Sequence, residues 1–325
     1  MRLLKLVPDD TNIDFVRLRH AAFVITTLLT IAAVAVVFAR GLNMGVDFVG
    51  GLMIEEKFEA PPPLDEVRRS IERLDVGEAT LQQFGDPRTV SIRLPVPDST
   101  DEGATNAVVE KVEKALAAEF PGATFSRYST VSGKVSGELV NHGILAVVLA
   151  VLAIGLFAIF RFEWQFGIST VVAIVHDVLM TMGFFALFRE WLVFDLNIVA
   201  AVLTIIGYSI NDKIVIDDRI RENMRRYRKM DMRQIVNLSV NETLPRTVMT
   251  SLTILLALAA LLIFGGHVLR GFTAAMILGV IVGTYSSIYV SSSLLITLGL
   301  RAEPPADKPG PAPSNAERVG PRSGS

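Results

Sequence analysis

Apolar residues in this chain gather into long runs instead of alternating with polar ones. A membrane-spanning helix needs about 20 mostly apolar residues to cross roughly 30 Å of hydrocarbon. The first run of that length covers residues 21–39. Five more follow a long mixed stretch, at about 139–160, 166–188, 196–216, 247–264 and 272–298. The pattern predicts about six transmembrane helices, with an insertion between the first and the second.

Within the insertion, residues 40–137, the hydrophobic period changes. Residues 52–58 alternate apolar and charged positions, as a half-buried strand does. Pro61, Pro62 and Pro63 then interrupt the chain, and Leu64, Val67, Ile71 and Leu74 recur at helical spacing. Strand-like runs at 79–84 and 89–94 follow, separated by the turn Gly85-Asp86-Pro87. Val108, Val112, Leu116 and Phe120 mark one face of a second helix, and 123–131 closes the series as a strand. The order β-α-β-β-α-β is that of a ferredoxin-like split sandwich. The expected fold class is therefore a membrane α-helical bundle of about six transmembrane helices with an inserted α+β ferredoxin-like domain. The insertion holds no catalytic cluster, and its acids and arginines are expected on solvated faces. With so few residues and no disulfide, it should be modestly stable.

Charge sets the orientation. The polar leader, residues 1–20, carries Arg2, Lys5, Arg17 and Arg19. The apolar run behind it is too long for a signal peptide, and Ala39-Arg40-Gly41 is a poor cleavage site, so the run reads as a retained anchor. On the same side fall Arg161 and the loop 217–245, with Arg219, Arg221, Arg225, Arg226, Arg228, Lys229 and Arg233. The two short loops on the other side offer only Arg189 and Arg270. The positive-inside rule puts both termini in the cytoplasm and the insertion outside. Ile220, Met224 and Tyr227 recur at helical spacing among the arginines, which predicts an amphipathic helix lying on the anionic lipid surface. The tail, 301–325, is rich in Pro, Gly and Ser and is expected to be disordered.

Composition narrows the function. The 325 residues are 51% hydrophobic and only 20% charged, which disfavours a soluble enzyme. No cysteine is present, so thiolate catalysis, disulfides and Cys-ligated metals are excluded. A net charge of −2 offers no basic excess for nucleic acid. The chemistry must lie in charges placed where lipid would reject them. His176 and Asp177 sit in the third span, Asp212 and Lys213 in the fourth, and Arg246 opens the fifth, directly after Pro245. Left unpaired, these five groups would cost on the order of 10 kcal/mol. Lys213 is expected to snorkel or to pair with Asp217. Asp177 is equally readable as a structural contact between helices. Arg246 could snorkel to the interface. Asp212, one turn inside the span on a segment with Tyr208, Ser209 and Asn211, is harder to dismiss. A carboxylate beside a guanidinium stays ionised, and one withdrawn into apolar surroundings takes up a proton. Asp212 and Arg246 can share a depth, and an acid alternating between two such settings carries protons. The physical reading is a proton-coupled machine, driven by the proton gradient without a cofactor or metal.

Gly279 and Gly283 form a Gly-x-x-x-Gly pair suited to close helix packing. Four further stretches together resemble a known family. They are Gly45-Val46-Asp47-Phe48-Val49-Gly50-Gly51; Gly207-Tyr208-Ser209-Ile210-Asn211-Asp212 with Asp218-Arg219-Ile220-Arg221-Glu222-Asn223; Asn241-Glu242-Thr243-Leu244-Pro245-Arg246-Thr247; and Gly283-Thr284-Tyr285-Ser286-Ser287-Ile288-Tyr289. They are similar, in order, to the signatures of the SecF family of protein-export membrane subunits, within the resistance-nodulation-division superfamily. The resemblance implies a partner, SecD. It implies use of the proton-motive force to help draw preproteins through the SecYEG channel, with YajC and YidC as further neighbours beside the membrane lipids. It also implies that Asp212 is the proton-relay aspartate and Arg246 its essential arginine, the second relay aspartate belonging to SecD. Lys213 and Pro245 depart from the family pattern, where a neutral residue and Ser are expected. Gly50 and Gly51, read on their own, favour a sharp turn into the first strand.

Two rival readings come from other classes. An intramembrane aspartyl protease would pair Asp177 with Asp212. Their depths differ, however, and the Gly-x-Gly-Asp motif is missing because Asn211 precedes Asp212. Half of a proton-coupled exporter of small molecules or lipids would use the same relay and would also need a partner.

Overall fold

The computed structural model of the chain describes residues 8, 11–77, 79–84, 86–95, 102–266 and 269–300. The expected disordered tail 301–325, Arg2 and Lys5 of the leader, and Gly85 of the predicted turn lie outside the described residues.

A single turn at Val16–Leu18 leads into α1 (Arg19–Arg40), which ends at Gly41 with φ 68°, a conformation that suits a residue without Cβ. The short α2 (Val46–Val49) precedes the inserted domain: β1 (Gly51–Lys57), α3 (Leu64–Glu72), β2 (Thr80–Phe84), β3 (Asp86–Leu94), α4 (Glu102–Glu119) and β4 (Thr124–Val131). The sheet order is β2-β3-β1-β4 with every neighbour antiparallel, the arrangement of a split β-α-β sandwich. One sheet face packs Leu52, Ile54, Val90 and Ile92 against Val67 and Ile71 of α3 and Val112 and Leu116 of α4. The opposite face turns to the bundle. From it, Arg93 donates to the Met44 carbonyl at 2.9 Å and Gln82 to the Arg189 carbonyl at 3.2 Å.

The bundle continues with α5 (Gly133–Arg161), α6 (Trp164–Leu187), α7 (Leu196–Arg226), α8 (Met232–Phe264) and α9 (Arg270–Tyr285), which runs through a π-helical segment (Ser286–Ser291) into α10 (Ser292–Thr297). Among the described residues, six helices are long and apolar enough to cross a membrane. Ser132, Asp195 and Asp231 start α5, α7 and α8 by accepting backbone N–H groups of the first turn. Leu28, Ile31 and Phe38 of α1 and Ile144, Leu152 and Phe160 of α5 are exposed, as lipid-facing side chains must be. The middle of the bundle is α7, whose Ile198, Ala201, Ile205 and Ile206 are at most 1% exposed.

Four expectations need correction. The arginine-rich stretch is no surface helix, because residues 219–226 continue α7 and the chain turns at 227–231 into α8. Ile220 and Met224 are buried against Phe162, Ile235 and Val236, so protein covers the face that was expected to meet lipid. Pro245 does not open a helix but lies well inside α8, so Arg246 occupies a mid-helix position. The predicted turn is shorter, since Asp86 and Pro87 already belong to β3. Finally, Glu55 and Glu56 are 2% and 1% exposed, and neither sits on a solvated face. A register shift against β4, which pairs Glu55 with Arg127 and Glu56 with Phe125, puts the extra residue on β4 and leaves the alternation of β1 intact. Glu55 reaches Arg127 at 2.8 Å, while Glu56 shares the inner face with Leu52 and Ile54 and its Oε1 has no hydrogen-bond partner.

Burial, with Glu113 adding repulsion, pushes the Glu56 carboxyl up to about 7. The fold therefore favours the protonated acid. This contribution to stability is present below pH 4.5, declines as pH rises, and is gone above 7, a difference on the order of 2 kcal/mol. Glu56→Gln should accordingly slow amide hydrogen exchange in β1 and β3 at pH 8 while changing little at pH 4.5. Equal exchange in the two proteins at pH 8 would show that the acid carries no such cost.

Candidate functional site

Buried polar groups in the bundle gather on α6, α7, α8 and the π segment. The best connected is Asp177, 1% exposed. Its Oδ1 lies 2.9 Å from His176 Nδ1, and its Oδ2 accepts from Ser209 of α7 at 2.6 Å and from Ser286 of the π segment at 3.0 Å. Ser287 adds a bond to the Ser209 carbonyl at 3.4 Å. One carboxylate thus ties three helices together. The approach depends on small residues. A Cβ on Gly279 would lie 2.3 Å from Ile205, and one on Gly283 would lie 3.2 Å from Ser209. The two glycines let α9 settle onto α7 closely enough for two serines to share one oxygen.

Asp212 follows Ser209 by nearly one turn of α7 and is 2% exposed. Its Oδ2 has no hydrogen-bond partner. Arg246 of α8 is the charged group whose field reaches it, yet the two form no contact ion pair. Nearby, Thr247 Oγ1 is buried and likewise unpartnered. Arg246 itself is exposed, together with Thr253 of α8 and Thr204, Gly207 and Asn211 of α7, so a polar strip opens on the outside of the bundle. Lys213 neither snorkels nor faces Asp212. It is 2% exposed, donates to Asp217, which is 1% exposed, and sits 5.9 Å above the Phe166 ring. Asp177 and Asp212 share no hydrogen bond, and Asp177 spends both oxygens on His176, Ser209 and Ser286.

Below this level α7 and α8 form a braced hairpin that the spacing of charges did not reveal. Glu242 accepts from Arg219 at 2.8 Å and from Asn223 at 2.7 Å, and Asn223 also donates to Ser239 at 3.0 Å. The residues belong to two of the motif stretches, which was the available signal; which partner each would take was not readable.

At the other end of α7 the glycine-rich stretch forms a joint. The Gly45 N–H donates to the Phe194 carbonyl at 2.8 Å, and the Phe194 N–H to the Asn43 carbonyl at 2.7 Å. Asp47 then accepts the Leu196 N–H at 2.9 Å, while Asp195 accepts that of Ile198 at 3.1 Å, so two carboxylates satisfy the positive end of one helix. Burial pushes the Asp195 carboxyl up, with Asp47 contributing repulsion, against the hydrogen bonds that hold it down. Phe48 packs on Phe194 at 5.8 Å. Gly51, at φ 116°, admits β1 beside β3, where a Cβ would lie 2.9 Å from the Leu94 carbonyl. The first strand of the inserted domain is thereby pinned to the start of the helix that carries Asp212.

Comparison with known proteins points one way. The chain matches the family model for the protein export membrane protein SecD/SecF C-terminal region over residues 111–301, and that for the SecD/SecF GG motif over 35–61. It is 43% identical to a protein translocase subunit SecF from Rhodobacter capsulatus, across 94% of this chain and 96% of that one. Against the SecF subunit of Rickettsia rickettsii the identity is 39%, across 90% and 94%. Among solved structures, SecDF from Thermus thermophilus, described as a translocon-associated membrane protein, superposes with a TM-score of 0.80 at 38% identity. That match covers 89% of this chain but only 39% of the longer SecDF chain. SecDF in a super-membrane-facing form gives a TM-score of 0.67 at 37% identity, covering 92% and 40%.

Removing one cap tests the joint. Asp47→Ala should cost about 1 kcal/mol at the start of α7 and speed amide exchange of residues 196–199 roughly fivefold. Unchanged exchange there would mean that Asp195 alone secures the helix.

Proposed function

The chain belongs to the SecF family of protein translocase subunits, and from that premise we propose that it forms one half of a proton-driven device for protein export, with Asp212 as its relay carboxylate and Arg246 as the group that governs it. The observation that carries this reading is the buried Asp212 oxygen without a partner, lying in the field of an arginine on the next helix. A proton carrier needs a lone pair that is free to take the proton. Asp177, with both oxygens engaged, is suited to holding helices together instead.

Charge can become motion because α7 is one unbroken helix of 31 residues, about 46 Å long. When Asp212 is ionised, Arg246 attracts it and the helices draw together. When it is protonated, that attraction goes and the pair relaxes. Each charge moved across the membrane gains about 2.3 kcal/mol per 100 mV, enough to bias a two-state packing. The displacement reaches the joint at Asp47 and Asp195, and through it the inserted domain. That domain stands in the periplasm, with both termini in the cytoplasm, and there acts on the emerging preprotein.

The exposed strip with Gly207, Asn211 and Arg246 is where the SecD half docks, since a guanidinium on a span is unstable against lipid. SecD supplies the second carboxylate, the SecYEG channel supplies the preprotein, and YajC and YidC lie alongside in the inner membrane. Identity to SecF subunits across nearly the whole chain, and the match to SecDF, support the pairing with SecD.

In inverted vesicles given a proton gradient, Asp212→Asn should reduce gradient-driven export at least tenfold while leaving membrane insertion and assembly with SecD intact. Arg246→Ala should fail similarly, and Arg246→Lys should recover only part of the loss because an ammonium cannot match the reach of the guanidinium. Full export from Asp212→Asn removes the carboxylate from the mechanism.

A further inference from the structure

The described end of the leader, residues 11–16, lies against the first half of α8 and turns at Ile13–Phe15 into the helical turn that begins at Val16. Two asparagines one turn apart hold it by its backbone. Asn241 accepts the Ile13 N–H at 2.8 Å and donates to the Ile13 carbonyl at 2.8 Å, while Asn237 accepts the Phe15 N–H at 2.8 Å. Phe15 is then buried, 8% exposed, with its ring edge-on to Tyr289 of the π segment at 5.8 Å. Tyr289 stacks on Tyr285, whose hydroxyl meets Thr26 of α1 at 2.9 Å.

The place where the clamp grips matters. Pro245 has no N–H, so the carbonyl four residues earlier, that of Asn241, receives no helical bond from it. The helix is weakened in the turn immediately before Arg246, and it is at Asn241 that the leader is fastened. The other end of the contact, Tyr289, lies one turn from Ser286, which touches Asp177. A short segment ahead of α1 therefore bridges the weak turn of the arginine's helix and the irregular segment that contacts the buried acid.

We propose that residues 11–16 form a positioning strap, which, by clamping Asn237 and Asn241 of α8 to Tyr289 of the π segment, sets where Arg246 stands relative to Asp212. The inference rests on the relay reading of those two residues. Neither the strap nor the asparagines touch the relay acid. They act through the helix that carries Arg246. The charged or titratable groups on the surrounding elements are Asp212, Lys213, Asp217 and Arg219 of α7, Glu242 of α8, Asp14 and Arg17 of the leader, Arg19 and His20 of α1, Tyr285 and Tyr289, and beyond them His176 and Asp177.

The test uses the chain reconstituted with its partner subunit in proteoliposomes, with proton flux measured against pH. One variant carries Asn237→Ala and Asn241→Ala together, changes that raise helix propensity and leave α8 able to form. A second, Ile13→Pro, removes a strap N–H without touching α8, at a residue that is 48% exposed. Both should speed amide exchange of residues 11–16 at least tenfold, lower flux severalfold, and move the midpoint of the pH profile by about half a unit or more in either direction. If the strap amides are released while flux and midpoint match the parent, the inference fails. It fails too if flux falls with the midpoint unmoved, since that is the mark of a merely less stable protein. Asp212→Asn is measured alongside. Normal flux from it would overturn the relay reading and this inference with it, whereas an inactive Asp212→Asn beside unaffected strap variants overturns the strap alone.

Discussion

A polar group in hydrocarbon must find its partner inside the protein, because no water is there to supply one. Nearly every buried side chain of this bundle obeys. Lys213 is answered by Asp217, and Asp177 by His176, Ser209 and Ser286. Against that background Asp212 stands apart: Asp217 also keeps one oxygen unpartnered but holds Lys213 with the other, whereas Asp212 takes part in no hydrogen bond among the described residues. An unsatisfied buried acceptor costs on the order of 1–3 kcal/mol. A fold that gives Asp177 and Asp217 hydrogen-bonding partners and Asp212 none, with Arg246 on the next helix, leaves that acid open to taking a proton.

The same constraint explains how the two ends of the molecule are joined. At its outer end α7 begins where the glycine-rich stretch runs alongside it, with Asp47 and Asp195 answering N–H groups that a helix cannot satisfy internally. At its inner end Asn223 and Arg219 answer Glu242. Each fastening is made of groups that would otherwise be orphaned, so neither end of α7 is free to slip on its neighbours. A displacement of the helix is then shared with the inserted domain on one side and the α7–α8 hairpin on the other.

Much of this was legible in the residues. Long apolar runs can mean little but spans, and the period change between 40 and 137 marked the inserted sheet and its two helices, because both signals depend on burial alone. The strand at 52–58 was legible, yet Glu56 was misplaced, because the rule that charge stays in water set aside the parity that puts it on the face of Leu52, Ile54 and Phe58. The arginine-rich stretch misled for a related reason. Ile220 and Met224 mark an apolar face, but only tertiary packing says whether lipid or Phe162 and Ile235 cover it. The acids and the arginine within the spans stood out in the sequence, whereas the asparagines that hold the leader did not. A side chain that grips backbone leaves no complementary pattern for sequence to show, as Asn241 and Ile13 illustrate.

The distribution of irregularity among the helices completes the argument. α7 is unbroken, while the two helices beside it each depart from regularity close to the polar level: α8 at Pro245 and the last span at the π segment from Ser286 to Ser291. Broken hydrogen-bond ladders make a helix easier to bend, and π segments recur where function demands it. A rod that must move on the gain or loss of one charge benefits from stiffness along its own axis and compliance in its surroundings, because compliance in the rod would absorb the displacement before it reached the joint at Asp47. In α8 the irregular turn lies immediately before Arg246, and in the last span it carries Ser286, which bonds Asp177. Irregularity thus falls on α8, which carries Arg246, and on the last span, whose Ser286 bonds Asp177 of α6, while α7, which carries Asp212, stays regular.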